Sequence, residues 1–425
     1  MSLRTFLLHT LMALVPFSVY AADGDLTPTE KATAAITAAS EAHRLPVLND
    51  DGTFSGEGWR KLLVAGRDAR FFLIGEEHGI AENPRLVSQL FSELTPAGYR
   101  RLLIEISPAM ADILDEVIAD GGMTGLEQFY AEPGNIPAFF GMVEEMQMLV
   151  DVRAAVPEGE RAFWGADYEV AGDRALIRRL QAMEKPAAAE APLKALADAS
   201  HEGWGKHAET QDPQYIFTFS GDPELVRAVA RAWPERSDEA TLILEALEQT
   251  LVINQFWISG KPYQSNVARA SYIRDGFLQR WQSVETADDL PKVMAKYGAN
   301  HMVRGRNMTN TYDLGALMPE IAEQRGEGTV SVMILPGRNS PTAVLNAKTW
   351  TFESAPPKDG YQAGLEPLFT SLLPEGYTLF DLRAMRADTW RWARFLDDEL
   401  LRVVFGFDFL LVMTGSTASQ GYQRP

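Results

Sequence analysis

The amino-acid sequence predicts an α/β fold in which helices cover both faces of a mainly parallel central sheet. Three observations support this. Short apolar runs alternate with segments of helical periodicity, which is the pattern of strands joined by helices. Several of the runs end in a polar residue of a type used in catalysis. One long segment, about residues 173–283, has helical periodicity and no convincing strand, so we expect a helical insertion there.

Seven runs, all short and rich in β-branched or aromatic residues, are predicted to be strands. In chain order they are Phe71–Gly75, Arg101–Ile106, Ala162–Ala166, Lys292–Tyr297, Thr329–Leu335, Tyr377–Leu382 and Phe409–Met413.

Helical periodicity fills most of the intervals between these strands. Pro108 suits the first position of a helix. The predicted helices are Ala81–Leu94, Pro108–Asp120, Ala138–Ala154, Asp173–Met183, Glu224–Ala232, Asp238–Ser259, Asn266–Ser283 and Leu314–Gln324. We expect the inserted helices to form a lid or one wall of a cleft. Lys185–Ala189 is predicted to be a helix break and Ser354–Gly360 a loop.

Composition and charge narrow the class of protein. The 425 residues are 46% hydrophobic and 23% charged, a balance typical of a globular protein with a sizeable core. No boundary in composition divides the chain, so we expect a single domain over residues 22–425. The net charge of −19 argues against nucleic acid and anionic membrane surfaces as partners. The partner that we expect is a small-molecule substrate.

The first residues predict a secretory signal peptide over residues 1–21. Arg4 supplies the basic start, 6–19 is mostly apolar, and Val19–Ala21 suits signal cleavage. A retained N-terminal anchor is the alternative. No later stretch reaches the ~18 apolar residues of a membrane span, so we expect a periplasmic or secreted protein. The absence of cysteine excludes disulfides, thiolate metal sites and a cysteine nucleophile.

The most informative segment is Phe71–Gly79, where an apolar run ends in Glu76, Glu77 and His78. In open α/β sheets, residues just beyond the carboxyl ends of strands line the ligand-binding crevice. The chain has only six histidines, so one that stands beside two carboxylates at such a position is a candidate for catalysis.

Other predicted strands end in comparable residues. Glu105 and Asp167 close the second and third strands, His301 follows the fourth, and Asp381 and Arg383 follow a later one. Each also has a structural interpretation, as a helix cap, a loop residue or an ion pair. Recurrence at the same kind of position favours a shared site, because independent caps need not cluster.

Several common catalytic motifs do not occur. The sequence has no Gly-x-Ser-x-Gly elbow, no His-Glu-x-x-His zinc helix and no phosphate-binding Gly-x-x-x-x-Gly-Lys loop.

The order of three motifs, Gly75–Gly79, then Glu105, then Lys296–His301, resembles that of the erythromycin esterase-like proteins. That family is grouped with the ChaN-like haem-uptake and Tiki/TraB-type proteins in one superfamily. The resemblance covers most of the chain, roughly 71–413. It implies a catalytic set formed by Glu76, His78, Glu105 and His301.

The resemblance extends to substrate binding. The segment 268–281, which carries Arg269 and Arg274, is similar to the family's arginine-bearing helix before the last histidine motif. With Arg304 and Asp167, these arginines form the predicted substrate-binding set.

The motifs differ from those of erythromycin esterases at two points. One residue, Glu77, separates Glu76 from His78, where the esterases usually have two. Gly298 stands where the first of two downstream histidines is expected. The Gly-Glu-x-His form is closer to the ChaN-like version, so a macrolide substrate does not follow.

The leading hypothesis is hydrolysis of an ester or lactone without a metal or other cofactor. His78 would be the general base, oriented by Glu76 or Glu105. His301, Arg304 or Arg306 would stabilise the oxyanion.

Two alternatives remain open. One is a metal-dependent hydrolase or peptidase in which Glu76, His78, Glu105 and His301 hold a divalent ion such as Zn²⁺ or Mn²⁺. The other is a periplasmic protein that binds haem or another ligand, which the ChaN-like resemblance and the aromatic residues of the insertion would suit.

Overall fold

The computed structural model describes residues 26–284, 290–356 and 364–423. The predicted signal peptide lies outside the described residues, as does part of the predicted loop at 354–360.

Within the described residues, eleven strands are present, and nine of them form one sheet. The strands are β1 (Arg44–Asp50), β2 (Thr53–Ser55), β3 (Ala69–Glu76), β4 (Tyr99–Ile104), β5 (Phe163–Gly165), β6 (Lys292–Gly298), β7 (Gly328–Pro336), β8 (Thr342–Asn346), β9 (Thr351–Ala355), β10 (Tyr377–Asp381) and β11 (Phe409–Met413). The order in the large sheet is β2-β1-β10-β11-β7-β3-β6-β4-β5.

Six neighbouring strands, from β11 to β5 in that order, are parallel. β10 is antiparallel to both β11 and β1, and β8 pairs with β9 in a separate hairpin. All seven predicted strands are present, with ends displaced by at most two residues. The mainly parallel sheet is therefore confirmed.

Helices occupy the connections between strands. They are α1 (Pro28–Ala42), α2 (Glu57–Asp68), α3 (Glu82–Leu94), α4 (Pro108–Ala131), α5 (Val143–Ala155), α6 (Asp173–Ala182), α7 (Ala187–Thr210), α8 (Phe217–Ser220), α9 (Pro223–Ala232), α10 (Asp238–Ile258), α11 (Pro262–Gln282), α12 (Ala299–Met302), α13 (Leu314–Gln324), α14 (Glu366–Thr370), α15 (Leu382–Trp392) and α16 (Asp398–Gly406). Short 3-10 helices occur at Thr95–Ala97, Pro213–Tyr215 and Ala393–Phe395.

Alternate side chains of the central strands enter two hydrophobic cores, one on each face of the sheet. On β3, Phe72 and Ile74 belong to one core, whereas Phe71 and Leu73 belong to the other. This alternation follows from the two-residue period of a strand. It explains why the parallel strands read as continuous apolar runs, since both of their faces are buried.

In the described part of the chain between β5 and β6, the regular elements are the helices α6 to α11 and one short 3-10 helix. None of the described helices is long and apolar enough to cross a membrane.

Three predicted helix boundaries are wrong. α11 begins at Pro262, four residues before the predicted Asn266. α4 continues past Asp120 to Ala131, with a kink at Gly122, where φ is +56°. α5 begins at Val143 instead of Ala138, because Phe139 has a φ of +65°, which a right-handed helix does not accommodate. The unpredicted helix α7 begins at Ala187, inside the predicted break at Lys185–Ala189.

Candidate functional site

Three adjacent parallel strands bring the candidate residues to one edge of the sheet. β6 lies between β3 and β4, and its last residue, Gly298, pairs with Glu76 at the end of β3. Glu105 follows β4 directly, and His301 lies in α12, which follows β6 directly. The carboxyl ends of these strands therefore bring Glu76, Glu105 and His301 close together, as the parallel sheet predicted.

His78 is held between two carboxylates. Its Nδ1 is 2.9 Å from Oε1 of Glu76, and its Nε2 is 3.5 Å from Oε2 of Glu105. Because a carboxylate can only accept a hydrogen bond, Nδ1 carries the proton of the neutral ring and Nε2 is the basic atom. The His78 side chain is 29% exposed, compared with 1% for Glu76, so the histidine is the member of the pair that a substrate can reach.

An aromatic ring covers one face of His78. Phe139 stacks on the imidazole with ring centroids 4.3 Å apart and an angle of 21° between the planes. The neighbouring Gly298 borders Nε2, where a Cβ atom would lie only 3.0 Å away. The glycine thus keeps space open beside the basic nitrogen.

His301 repeats the arrangement on the other side of Glu105. Its Nδ1 is 2.7 Å from Oδ2 of Asp313, and its Nε2 is 3.5 Å from Oε1 of Glu105. Asp313 is itself fixed at the start of α13, where its other oxygen accepts from the N–H of Leu314. Glu105 therefore faces both imidazoles.

Glu105 is held as a carboxylate. Arg269 donates to Oε1 at 2.8 Å, and the backbone N–H of Gly298 donates to Oε2 at 2.6 Å. Burial alone would raise the pKa of Glu105, but the charges of His78, His301 and Arg269, with the Gly298 N–H, lower it to about 2. Glu105 thus carries a negative charge throughout the neutral range.

Arg269 links this carboxylate to a second one. Its Nε donates to Oδ1 of Asp167 at 3.0 Å, and its Nη2 donates to Oδ2. The guanidinium lies over the ring of Tyr168, 4.7 Å from its centroid. Arg269 thereby links α11, a helix of the insertion, to the residues that follow β5.

Lys296 is a member of the site that the sequence reasoning missed. Its buried ammonium donates to Oε1 of Glu76 at 2.7 Å and to Oε1 of Glu145 at 2.8 Å. Burial opposes the charge of Lys296, but the two carboxylates raise its pKa above the ordinary value. The sequence could have indicated this role, because Lys296 lies inside the apolar run Val293–Tyr297. A charged residue in a strand that is buried on both faces requires partners of opposite charge.

The two carboxylates beside Lys296 differ in charge state. Burial raises the pKa of Glu76, but Lys296 and His78 outweigh it and hold the pKa below the ordinary value. Burial and the charge of Glu76 raise the pKa of Glu145 to about 7, against the effect of Lys296. At neutral pH, Glu76 is therefore a carboxylate, whereas Glu145 is protonated in part.

The structure does not bring Arg274 or Arg304 to the cluster. Arg274 is five residues after Arg269, about 140° further around α11, and among the described residues no hydrogen bond or ion pair joins it to the cluster. Arg304 lies 3.9 Å from Asp408, the residue that precedes β11. Arg306 is exposed.

Asp381 and Arg383 also lie away from the cluster. They form a two-bonded ion pair, with both N–O distances 2.9 Å. Because β10 runs antiparallel to β11, the carboxyl end of β10 lies at the opposite edge of the sheet. Their structural interpretation therefore fits better than the functional one.

The carboxylates of the cluster already have cationic partners. Among the described ranges 26–284, 290–356 and 364–423, no group of three or more histidine and carboxylate side chains is placed to hold one. Oε1 of Glu76 accepts from Lys296, and the two oxygens of Glu105 accept from Arg269 and from a backbone N–H. The cluster is organised as a network of ion pairs.

Comparison with known proteins identifies the fold. No family model matches the sequence, and no curated protein matches it. Among solved structures, a succinoglycan biosynthesis protein is similar with a TM-score of 0.61 and 15% identity, over 92% of this chain and 99% of that one. A Bacillus cereus protein is similar with a TM-score of 0.59 and 17% identity, over 92% and 99%.

An erythromycin esterase, solved as a mutant in its open conformation, is similar with a TM-score of 0.59 and 14% identity. The match covers 90% of this chain and 99% of the esterase chain. At this level of identity the likeness shows the fold alone. The chain therefore has the fold of an erythromycin esterase, as the resemblance of its motifs implied.

Proposed function

We propose that the protein hydrolyses an ester or lactone in a small molecule, with His78 as the general base. The observation that carries the proposal is the geometry of this residue. Glu76 fixes the proton on Nδ1, while Nε2 borders Gly298, which has no side chain to cover it. The fold shared with an erythromycin esterase is compatible with such a reaction.

In this mechanism, Nε2 of His78 takes a proton from a water molecule as the water oxygen attacks the carbonyl carbon. The tetrahedral intermediate then expels the alcohol, and the imidazolium returns its proton to the departing oxygen. Glu76 accepts a hydrogen bond from Nδ1 throughout and stabilises the imidazolium. A general base contributes ~10²–10⁴-fold, so further stabilisation of the transition state is required.

His301 is positioned to provide part of that stabilisation. Burial would lower its pKa, but Asp313 and Glu105 raise it above the ordinary value, which favours the imidazolium. A positive charge in a partly closed crevice stabilises a developing oxyanion. Of the three residues predicted for this role, His301 is the one that contacts Glu105.

The test is hydrolysis of a panel of chromogenic acyl esters and of small and macrocyclic lactones. We expect His78→Ala to lower kcat/KM by ~10²–10⁴-fold and to leave the circular dichroism spectrum and Tm unchanged. His201→Ala is the matched control, because His201 is exposed on α7. Full turnover by His78→Ala, or no hydrolysis of any substrate by the wild type, would contradict the proposal.

Chelation separates this mechanism from a metal-dependent one. We expect protein dialysed against EDTA to keep its activity, because the carboxylates of the cluster are already paired with Lys296 and Arg269. Loss of activity in EDTA that stoichiometric Zn²⁺ or Mn²⁺ restores would instead support the metal-dependent alternative.

A further inference from the structure

A cavity lies beside the candidate active site, on the other side of the segment 134–141. It has a volume of about 660 Å³ and is bordered by α7, the β8–β9 hairpin, the segment 134–141 and residues 421–423. Pockets of roughly 300–1,000 Å³ are typical of small-molecule sites. The cavity is thus large enough for a ligand of its own.

Aromatic side chains form much of its wall. Trp204 and Trp350 pack edge to face, with ring centroids 5.3 Å apart, and Phe352 and Tyr422 also line the cavity. Trp204 is fixed by a hydrogen bond from Nε1 to the buried Asp173 at 3.0 Å. The wall is therefore organised by contacts within the protein, and it offers flat apolar surfaces.

The charge of the cavity is opposite to that of the chain. The lining includes Arg174, Lys348 and His207 and contains no carboxylate side chain. The whole chain has 58 acidic against 39 basic residues. The guanidinium of Arg174 lies 4.2 Å from the ring centroid of Trp204, so positive charge and aromatic surface are adjacent. Such a lining favours an anion with an apolar body.

Unusual backbone conformations mark the same region. Among the described residues, the aromatic residues with positive φ are Phe139, at +65°, and Trp350, at +57°. Bulky residues rarely adopt this conformation, and such strain tends to occur at functional sites. Trp350 lines the cavity, and the segment 134–141 separates it from the active site, since Phe139 stacks on His78 while Ile136 and Ala138 line the cavity.

We propose that this cavity binds a small amphipathic anion, an aromatic carboxylate or sulfonate, in a site distinct from the hydrolytic crevice. The aromatic rings receive the flat body of the ligand, and Lys348 and Arg174 receive its charge. The site does not depend on the chemistry of His78, so it can be tested by binding alone.

The probe is anilinonaphthalene sulfonate, whose fluorescence is titrated with the full protein. We expect Lys348→Glu to weaken its binding about tenfold, since an attraction becomes a repulsion. Trp350→Ala should weaken it by a similar factor of about ten through loss of the aromatic surface. The matched controls are Lys31→Glu on α1 and Trp390→Ala on α15. Both residues are exposed and do not line the cavity, so both variants should bind the probe like the wild type.

The uncharged analogue phenylnaphthylamine tests the preference for an anion. We expect it to bind more weakly than the sulfonate and to be insensitive to Lys348→Glu and to salt. The proposal is overturned if Lys348→Glu and Trp350→Ala bind the sulfonate as well as the wild type does. It is equally overturned if Lys31→Glu weakens binding as much as Lys348→Glu, or if the uncharged analogue binds as tightly as the sulfonate.

Discussion

The Nε2 atom of His78 lies 3.5 Å from Oε2 of Glu105. This exceeds the ~2.7–3.2 Å of a normal N–H···O hydrogen bond. Glu105 therefore acts on His78 mainly through its charge, and the basic nitrogen is not bonded tightly to it. Nε2 therefore remains available to a water molecule, while the negative charge of Glu105 raises the pKa of the imidazole.

The first prediction concerns the pH dependence of hydrolysis. Burial lowers the pKa of His78, but the charges of Glu105 and Glu76 outweigh it and raise the pKa above 6.5. The neutral base is lost as pH falls through this raised value, so kcat/KM should decline on the acid side with an apparent pKa above 6.5. Glu105→Gln should move the decline to lower pH, as an NMR titration of His78 would show directly. An unchanged His78 titration in this variant would rule out the charge effect.

The second prediction concerns Gly298. A Cβ atom there would lie 3.0 Å from Nε2 of His78 and 3.6 Å from Oε2 of Glu105. Gly298→Ala should therefore lower kcat at least about tenfold by crowding the base, because displacements of about 1 Å at a reacting centre can reduce rates by ~10²-fold. Gly328→Ala is the control, since no atom lies within 4 Å of its Cβ position. Equal rates for the two variants would show that the space beside Nε2 is not needed.

Much of the fold follows from the sequence because the parallel strands are buried on both faces. Their apolar runs have no polar alternation, and all seven were recognisable. The strands that escaped prediction are partly exposed: β1 has only Val47 fully buried, and β9 has no buried residue. Their positions depend on pairing with distant partners, such as β10 for β1, which local patterns do not encode.

The sequence predicted the site residues that lie at the ends of parallel strands. It did not predict the residues whose positions depend on the direction of a strand or on the packing of a distant helix. Glu76, Glu105 and His301 converge because β3, β4 and β6 are parallel. Asp381 does not join them, because β10 is antiparallel to its neighbour β11. The direction of a strand cannot be predicted from its apolar residues, so the sequence did not indicate this. Glu145 lies on α5, whose spatial relation to Lys296 depends on how the helix packs on the sheet.

The third prediction concerns the stability contributed by Lys296. Its substitution by Met would leave the buried carboxylates of Glu76 and Glu145 without their cation. Removing one member of a buried ion pair typically destabilises a protein by about 3–5 kcal/mol, which urea unfolding would measure. Lys61→Met is the control, because its half-exposed pair with Asp381 should contribute at most about 1 kcal/mol. A loss for Lys296→Met no larger than for Lys61→Met would contradict the structure.

The last prediction concerns Glu145 and follows from the sign of its shift. Burial raises its pKa from 4.5 to about 7, so the folded protein holds this proton more tightly than the unfolded chain does. The corresponding stability is fully present below pH 4.5 and is lost as pH rises through about 7. Glu145→Gln removes the titrating group, so its free energy of unfolding should fall less across this range than that of the wild type. Urea unfolding at several pH values measures both curves; parallel curves would mean that Glu145 titrates normally and that Lys296 stabilises both carboxylates equally.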